Sequence, residues 1–326
     1  MRIVVFGAGA IGGVIGARLF QHDCDVTLVA REDNFRALSR SGLRLETRDE
    51  AVTLRVPVVE NLSDVALNAD DVVILTVKSQ DTRGALTDLA DSVPPGVGIV
   101  CAQNGVENER VALRMFENVY GVCVMCPATH LNPGVVQANS SPITGLLDIG
   151  LWPRGHDERA VALAAALNDA TFQSIVRDDI ARWKWGKLLL NLNNAVQAIC
   201  GTDEPATELS RRAVKEGMDV LDAAGIDFVG SEEDRARRGE LLTTSSPGTM
   251  KRGGGSTWQS LVRGTGTVET DYITGEIVLR GRLCGVATPV NELLQRLANE
   301  MAREHRPPGA ATEAQVLAQL EANAAS

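Results

Sequence analysis

The sequence predicts an α/β chain: an N-terminal Rossmann-type doubly wound sheet followed by an all-helical C-terminal domain. Two observations predict it. Short apolar runs alternate with helical patterns from Ile3 to about residue 178, as expected of βαβ units around a parallel sheet. Beyond that point the alternation stops and one helical pattern follows another. At 326 residues the chain is long for a single core. The expected division is a sheet domain over 1–178, a helical domain over 179–310 and a peripheral tail over 311–326.

The opening stretch sets the expected chemistry. Ile3 to Phe6 reads as a buried strand, Gly7, Gly9 and Gly12 complete G-x-G-x-x-G, and a helical pattern begins at Val14. In a dinucleotide site the first glycine permits the tight turn, the second lets backbone approach a pyrophosphate, and the third lets helix and strand pack closely. Gly7, Ala8, Gly9, Ala10, Ile11 and Gly12 are therefore the expected cofactor-binding turn.

The next strand, Asp25 to Ala30, runs out into Arg31. An acid about 20 residues past the glycines holds the ribose 2′-hydroxyl of NAD, whereas an arginine suits the 2′-phosphate of NADPH. Arg31 thus favours NADPH/NADP+; in the competing reading Glu32 or Asp33 is the ribose acid and Arg31 is a solvated charge. Residues 34 to 41 suggest a helix stopped by Gly42, and Leu43 to Val59 a hairpin inserted on the sheet. Asp71 to Lys78 reads as a covered parallel strand delivering Lys78 to the sheet's C-terminal edge, where ligands bind in such sheets. A solvated strand-end lysine fits the same position. After a helix from Thr82 to Ala90, the strand from Gly98 ends at Asn104-Gly105 on the same edge. Asn104 offers a donor and an acceptor to a ribose, carboxamide or carboxylate, and equally reads as a turn asparagine before glycine. Strands at 119–125 and 143–149, a helix at 157–168 and a strand from Gln173 to Val176 complete the alternation.

The helical part opens with Trp183 to Ala198. At about 100° per residue, Lys184, Lys187, Asn191 and Asn194 share one stripe on an otherwise apolar helix. The stripe contains no acid, which points to a site; a plain solvent face is the alternative. Gly201 to Pro205 breaks the helix, further helices follow at 206–224 and 231–242, and Thr243 to Gly255 forms a loop long enough to cover a site. Ser256 to Leu261 leads into an expected helix from Val268 to Arg280, with Glu269 in its first turn where the dipole favours a carboxylate.

A formal charge of −10 without a basic cluster argues against nucleic acid as partner. No apolar run approaches the ~18 residues of a membrane helix, no signal-peptide layout opens the chain, and the expected compartment is cytoplasmic. The cysteines are scattered through apolar contexts; Cys123-Val-Met-Cys126 has no second pair, and no metal site is expected.

Together these residues resemble the ketopantoate reductase (2-dehydropantoate 2-reductase) family over nearly the whole length. The matching pieces are the glycine turn at 7–13, Arg31, Thr76-Val-Lys78, Gln103-Asn-Gly105, Trp-x-Lys-Leu-x-x-Asn from Trp185 to Asn191, Ser256-x-Trp-Gln, and Val268-Glu269-x-Asp-Tyr-x-x-Gly-Glu276. The resemblance implies an NADP-dependent oxidoreductase with NADPH on Gly7 to Gly12 and Arg31, and with Lys78 and Asn104 lining cofactor and substrate. It implies Lys187 as general acid, Glu269 as the carboxylate that holds the substrate hydroxyl, and Asn191 and Ser256 as substrate contacts. The implied reaction reduces ketopantoate to pantoate on the way to pantothenate and coenzyme A. Its partner is a small 2-oxo acid, and a homodimer is an open option.

The sequence departs from the family on the substrate side. Ala195 stands where the family has a second asparagine, with Asn193 and Asn194 beside it; Ser260 stands where aspartate is common; and Gln259 and Glu269 are one residue further apart. Asn194 is therefore kept as a candidate substrate contact. The alternatives are a paralogous reductase of another 2-oxo acid and a non-catalytic NADPH-binding regulator.

Overall fold

In a computed structural model of the chain, the structure describes residues 1–201, 207–244 and 253–325. Most of the Thr243–Gly255 loop, and most of the 201–205 helix break, lie outside the described residues. The chain divides into two compact units: Met1–Lys184 with Ser231–Arg252, and Trp185–Gly230 with Gly253–Ser326.

The first unit begins with β1 (Ile3–Phe6), α1 (Ala10–Gln21), β2 (Val26–Val29) and α2 (Glu32–Ser41). Next come β3 (Leu43–Glu46), β4 (Ala51–Leu54), β5 (Val58–Val59), β6 (Val72–Leu75), α3 (Thr82–Ala90), β7 (Gly98–Cys101) and α4 (Asn108–Ala112). The chain continues through β8 (Val119–Met125), β9 (Ala128–Thr129), β10 (Val135–Ala138), β11 (Ser140–Pro142), β12 (Gly145–Leu151), α5 (Glu158–Asp169) and β13 (Phe172–Gln173). The eight-stranded main sheet runs β13-β12-β8-β7-β6-β1-β2-β5. From β5 to β8 every pairing is parallel, and β12 then pairs antiparallel with β8. β1, β6 and β7 are buried at every position, which their unbroken apolar sequences require between two covered faces. The chain leaves β1 toward β2 and returns on its other side to β6. The C-terminal end of β1 is thus the switch point at which such sheets bind ligands.

The 43–59 stretch is not a simple insertion on that sheet. Only β5 joins it; β3 and β4 pair with each other and, through β10 and β9, form a separate four-stranded sheet. The physical reason is α1, whose outer side needs cover: a Cβ on Gly13 would stand 2.6 Å from Val136 of β10. Val136, Leu43 and Leu45 share one core with Val14 and Ile15.

α6 (Ile180–Asn191) and α7 (Asn193–Cys200) replace the single expected helix, with a turn at Leu192 whose N–H bonds Leu189 O at 3.3 Å. α8 (Glu208–Ala223) follows. α9 (Ser231–Arg238) and β14 (Leu242–Thr244) then belong to the first unit, so the expected 231–242 helix ends early. β14 pairs with β11, and Arg237 of α9 donates to Asp148 Oδ1 at 2.6 Å and Gln173 Oε1 at 2.5 Å. Arg177 donates to the same buried carboxylate at 2.9 Å.

The second unit is completed by α10 (Ser256–Val262), α11 (Thr274–Cys284), α12 (Pro289–Arg303) and α13 (Glu313–Ala325). Among its described residues the helices are joined by loops and no strand occurs. α13 is docked rather than peripheral: Val316 is 1% exposed, and Glu313 accepts the Leu209 N–H at the start of α8 at 2.6 Å. Among the described residues no helix is long and apolar enough to cross a membrane.

Candidate functional site

The glycine turn lies where β1 meets α1. Gly7 has φ +111°, a conformation glycine alone adopts freely, and its carbonyl accepts the Thr76 hydroxyl at 2.6 Å and the Gly9 N–H at 2.8 Å. A Cβ on Gly12 would stand 2.2 Å from Gly7 O and 2.4 Å from Thr76 Oγ1, so Gly12 is required by packing of helix on strand. A Cβ on Gly9, the α1 cap, would meet no protein atom within 4 Å. Protein packing therefore explains Gly7 and Gly12 but not Gly9, whose bareness is the feature a pyrophosphate on the helix N-terminus needs. These residues fit a dinucleotide. Asn34, which the sequence reading passed over, braces the turn: its side chain donates to Ala8 O at 2.8 Å and accepts Gly134 N–H at 2.9 Å.

Arg31 follows β2 at the C-terminal edge of the sheet, in extended backbone at the residue before α2. Its side chain is 63% exposed, lies 5.9 Å from the Phe6 ring and pairs with Asp88 at 2.6 Å. Of the two acids in the competing reading, Asp33 is paired with Arg36 on the exposed start of α2, and Glu32 holds a left-handed φ of 53°.

Lys78 and Asn104 stand, half-buried, in the loops that leave β6 and β7 at that same edge. Buried amides join the loops. Gln103 donates to Val77 O at 2.7 Å and Thr82 Oγ1 at 2.8 Å, Thr82 donates to Asn108 Oδ1 at 2.8 Å, and Asn108 donates to Asn104 O at 3.0 Å.

Lys184 departs from the expected stripe. Its side chain is 3% exposed, forms an ion pair with the fully buried Glu109 and donates to Gln103 O at 2.9 Å. Nothing local in the sequence signals this pair, since Glu109 and Lys184 lie on separate helices.

In the second unit Lys187 and Asn191 are one turn apart on α6, half-buried and buried respectively. Asn194 of α7 donates to Ser256 Oγ at 3.4 Å, and the neighbouring Gln197 accepts the Gly255 N–H at 3.1 Å. Ala195 is 2% exposed and Asn193 accepts from Ser210 at 2.5 Å, so Asn194 is the asparagine of this turn that reaches Ser256. Glu269 is buried, but it lies in a 3-10 turn, Glu269–Tyr272, that precedes α11 instead of opening it. That turn is tied to α12 through Asp271, which accepts from Gln295 and Asn299 at 2.7 Å each. The helix-dipole account of Glu269 therefore does not apply; Glu276 takes that place in α11. No cluster of potential metal ligands occurs among the described residues.

Strand order, switch point and glycine turn define a dinucleotide-binding protein of Rossmann type. Residues 3–153 match the family Ketopantoate reductase PanE/ApbA, and residues 179–302 match the C-terminal part of the same family. A 2-dehydropantoate 2-reductase from Pyrococcus horikoshii is 30% identical over 91% of this chain and 96% of its own length. One from Halobacterium salinarum is 29% identical over 93% and 100%. The crystal structure of a PanE/ApbA family ketopantoate reductase from Ralstonia eutropha is 28% identical, with a TM-score of 0.78 over 94% of this chain and all of that one. A D-mandelate dehydrogenase solved with NADH and anilino(oxo)acetate shares the fold at 23% identity, with a TM-score of 0.78 over 94% of this chain and 99% of that one. This chain belongs to the ketopantoate reductase PanE/ApbA family, nicotinamide-dependent oxidoreductases of the 2-dehydropantoate 2-reductase type.

Proposed function

We propose that the chain reduces 2-dehydropantoate to pantoate with NADPH, in the cytoplasm and on the route to pantothenate and coenzyme A. The observation that carries this is the meeting of Asn194 and Ser256, which joins the asparagines at the start of α7 to the Ser256-x-Trp-Gln motif within the helical unit. The nucleotide unit, Met1–Lys184 with Ser231–Arg252, holds the cofactor on Gly7 to Gly12, with Arg31 on the 2′-phosphate. The second unit supplies substrate contacts and catalysis.

Bound NADPH supplies the hydride. Negative charge then builds on the substrate's carbonyl oxygen, and the Lys187 ammonium stabilises it and donates the proton. Asn191, Asn194 and the Ser256 hydroxyl hold the substrate through neutral hydrogen bonds, and Asn104 of the nucleotide unit offers its amide to cofactor or substrate. The Glu269 carboxylate accepts from the substrate hydroxyl and fixes its orientation. Lys187→Ala tests this assignment: turnover falls at least about a hundredfold while NADPH affinity stays. Unchanged turnover removes Lys187 as the general acid, whereas NADPH binding without turnover of any 2-oxo acid by the wild-type chain makes an NADPH-binding regulator the better reading.

One feature favours a second reading, reduction of another 2-oxo acid. Ser260, where the family commonly has aspartate, is buried and donates to Ser256 O at 3.0 Å, so the surroundings of Ser256 carry one carboxylate fewer.

A further inference from the structure

We infer that the buried Lys184–Glu109 pair is a positioning device for the loop carrying Asn104, and through it for the loop carrying Lys78.

The backbone on both sides of the Asn104 side chain is held by a side chain. Gln103 O accepts from Lys184 Nζ at 2.9 Å, and Asn104 O accepts from Asn108 Nδ2 at 3.0 Å. The Gln103 amide crosses to Val77 O, the residue before Lys78, at 2.7 Å, and Asn108 reaches Ser79 Oγ at 3.3 Å. Both candidate loops therefore belong to one buried network, and Lys184 anchors it from behind.

The pair is not needed for stability as such. Its side chains are 3% and 0% exposed, and two apolar residues of similar size generally serve a core as well as a buried ion pair does. Burial pushes the Glu109 carboxyl up, and the adjacent ammonium opposes that shift. What an apolar pair cannot supply is a donor for Gln103 O. The sheet also leaves room for the charges: Gly121 in β8 has no side chain where a Cβ would stand 3.2 Å from the Trp152 ring, 3.3 Å from Lys184 Cδ and 3.4 Å from Glu109 Oε1.

The inference rests on Asn104 contacting cofactor or substrate, and the test separates the two. Thermal stability, kcat and KM for NADPH and for the 2-oxo acid are measured in Lys184→Met, Glu109→Leu, the double variant, Gly121→Ala and Asn104→Ala. The single variants leave one buried charge unpaired and lose stability. The double variant recovers stability, yet its kcat/KM stays about tenfold below wild type because the Asn104 loop has lost its anchor. Gly121→Ala keeps both charges but displaces them slightly, and lowers kcat/KM with little change in Tm. A double variant with both stability and kcat/KM restored overturns the inference. If the double variant does not fold, Gly121→Ala decides, and wild-type kinetics there overturn it. Loss of activity in Asn104→Ala beside a fully active double variant rejects the positioning role alone. A fully active Asn104→Ala rejects the role of Asn104 and with it this inference.

Discussion

The Arg31 guanidinium meets the Asp88 carboxylate at 2.6 Å, with both side chains more than half exposed. An exposed pair of this kind contributes at most about 1 kcal/mol, so Asp88 yields Arg31 easily to a stronger anion. Arg31→Ala should lower kcat/KM for NADPH about tenfold or more and leave that for NADH nearly unchanged. Asp88→Asn should move the NADPH value the other way, by about fivefold at most. An unchanged coenzyme preference in Arg31→Ala would transfer the 2′-position to Glu32.

Gly9 and Gly12 should fail for different reasons when replaced by alanine. Gly12→Ala forces a Cβ against Gly7 O and Thr76 Oγ1 and should cost about 1–3 kcal/mol in thermal or urea unfolding. Gly9→Ala meets no protein atom and should keep its Tm while losing NADPH affinity. Equal loss of stability in both variants would mean that Gly9 is a packing glycine too.

Asp148 is 3% exposed and takes both Arg177 and Arg237. Removing Arg237 leaves Arg177 on the carboxylate but cuts the tie of α9 to β12 and β13, so that only the β11–β14 pairing holds the segment. Arg237→Ala should destabilise by about 2–3 kcal/mol, read as a lower urea midpoint. A shift within error would show that the β11–β14 pairing alone holds the segment.

Glu216 accepts the Val290 and Asn291 N–H groups at the start of α12, at 2.9 and 3.0 Å. Burial pushes its carboxyl up despite these donors, so the folded chain binds this proton more tightly than the unfolded chain does. The associated stability is fully present below the unfolded carboxyl pKa of about 4.3 and is lost as pH rises through the raised folded value. The Tm of wild type relative to Glu216→Gln should therefore fall as pH rises from about 4 to 7. A flat difference over that range would show that the N–H groups offset the burial.

The sheet was legible because β1, β6 and β7 are apolar without interruption and the glycine turn fixes where the first one ends. Pairings between distant segments were not. β3 and β4 read correctly as alternating strands, but no local pattern announces β9 and β10 as their partners. The polar stripe placed Lys187, Asn191 and Asn194 in the helical unit, yet periodicity assumed one unbroken helix. The turn at Leu192 resets the phase and brings Asn194 to Ser256, while Lys184 is drawn into the first unit by an acid far away in sequence. Glu269 stood out as a candidate, but its turn geometry did not, because Asp271 binds α12 rather than continuing α11.

The central claim is tested most directly by NADPH oxidation with 2-dehydropantoate beside a panel of other 2-oxo acids, compared as kcat/KM because that ratio expresses specificity. The account predicts a clear preference for 2-dehydropantoate. Turnover confined to a different 2-oxo acid, or none with any of them despite NADPH binding, would contradict it.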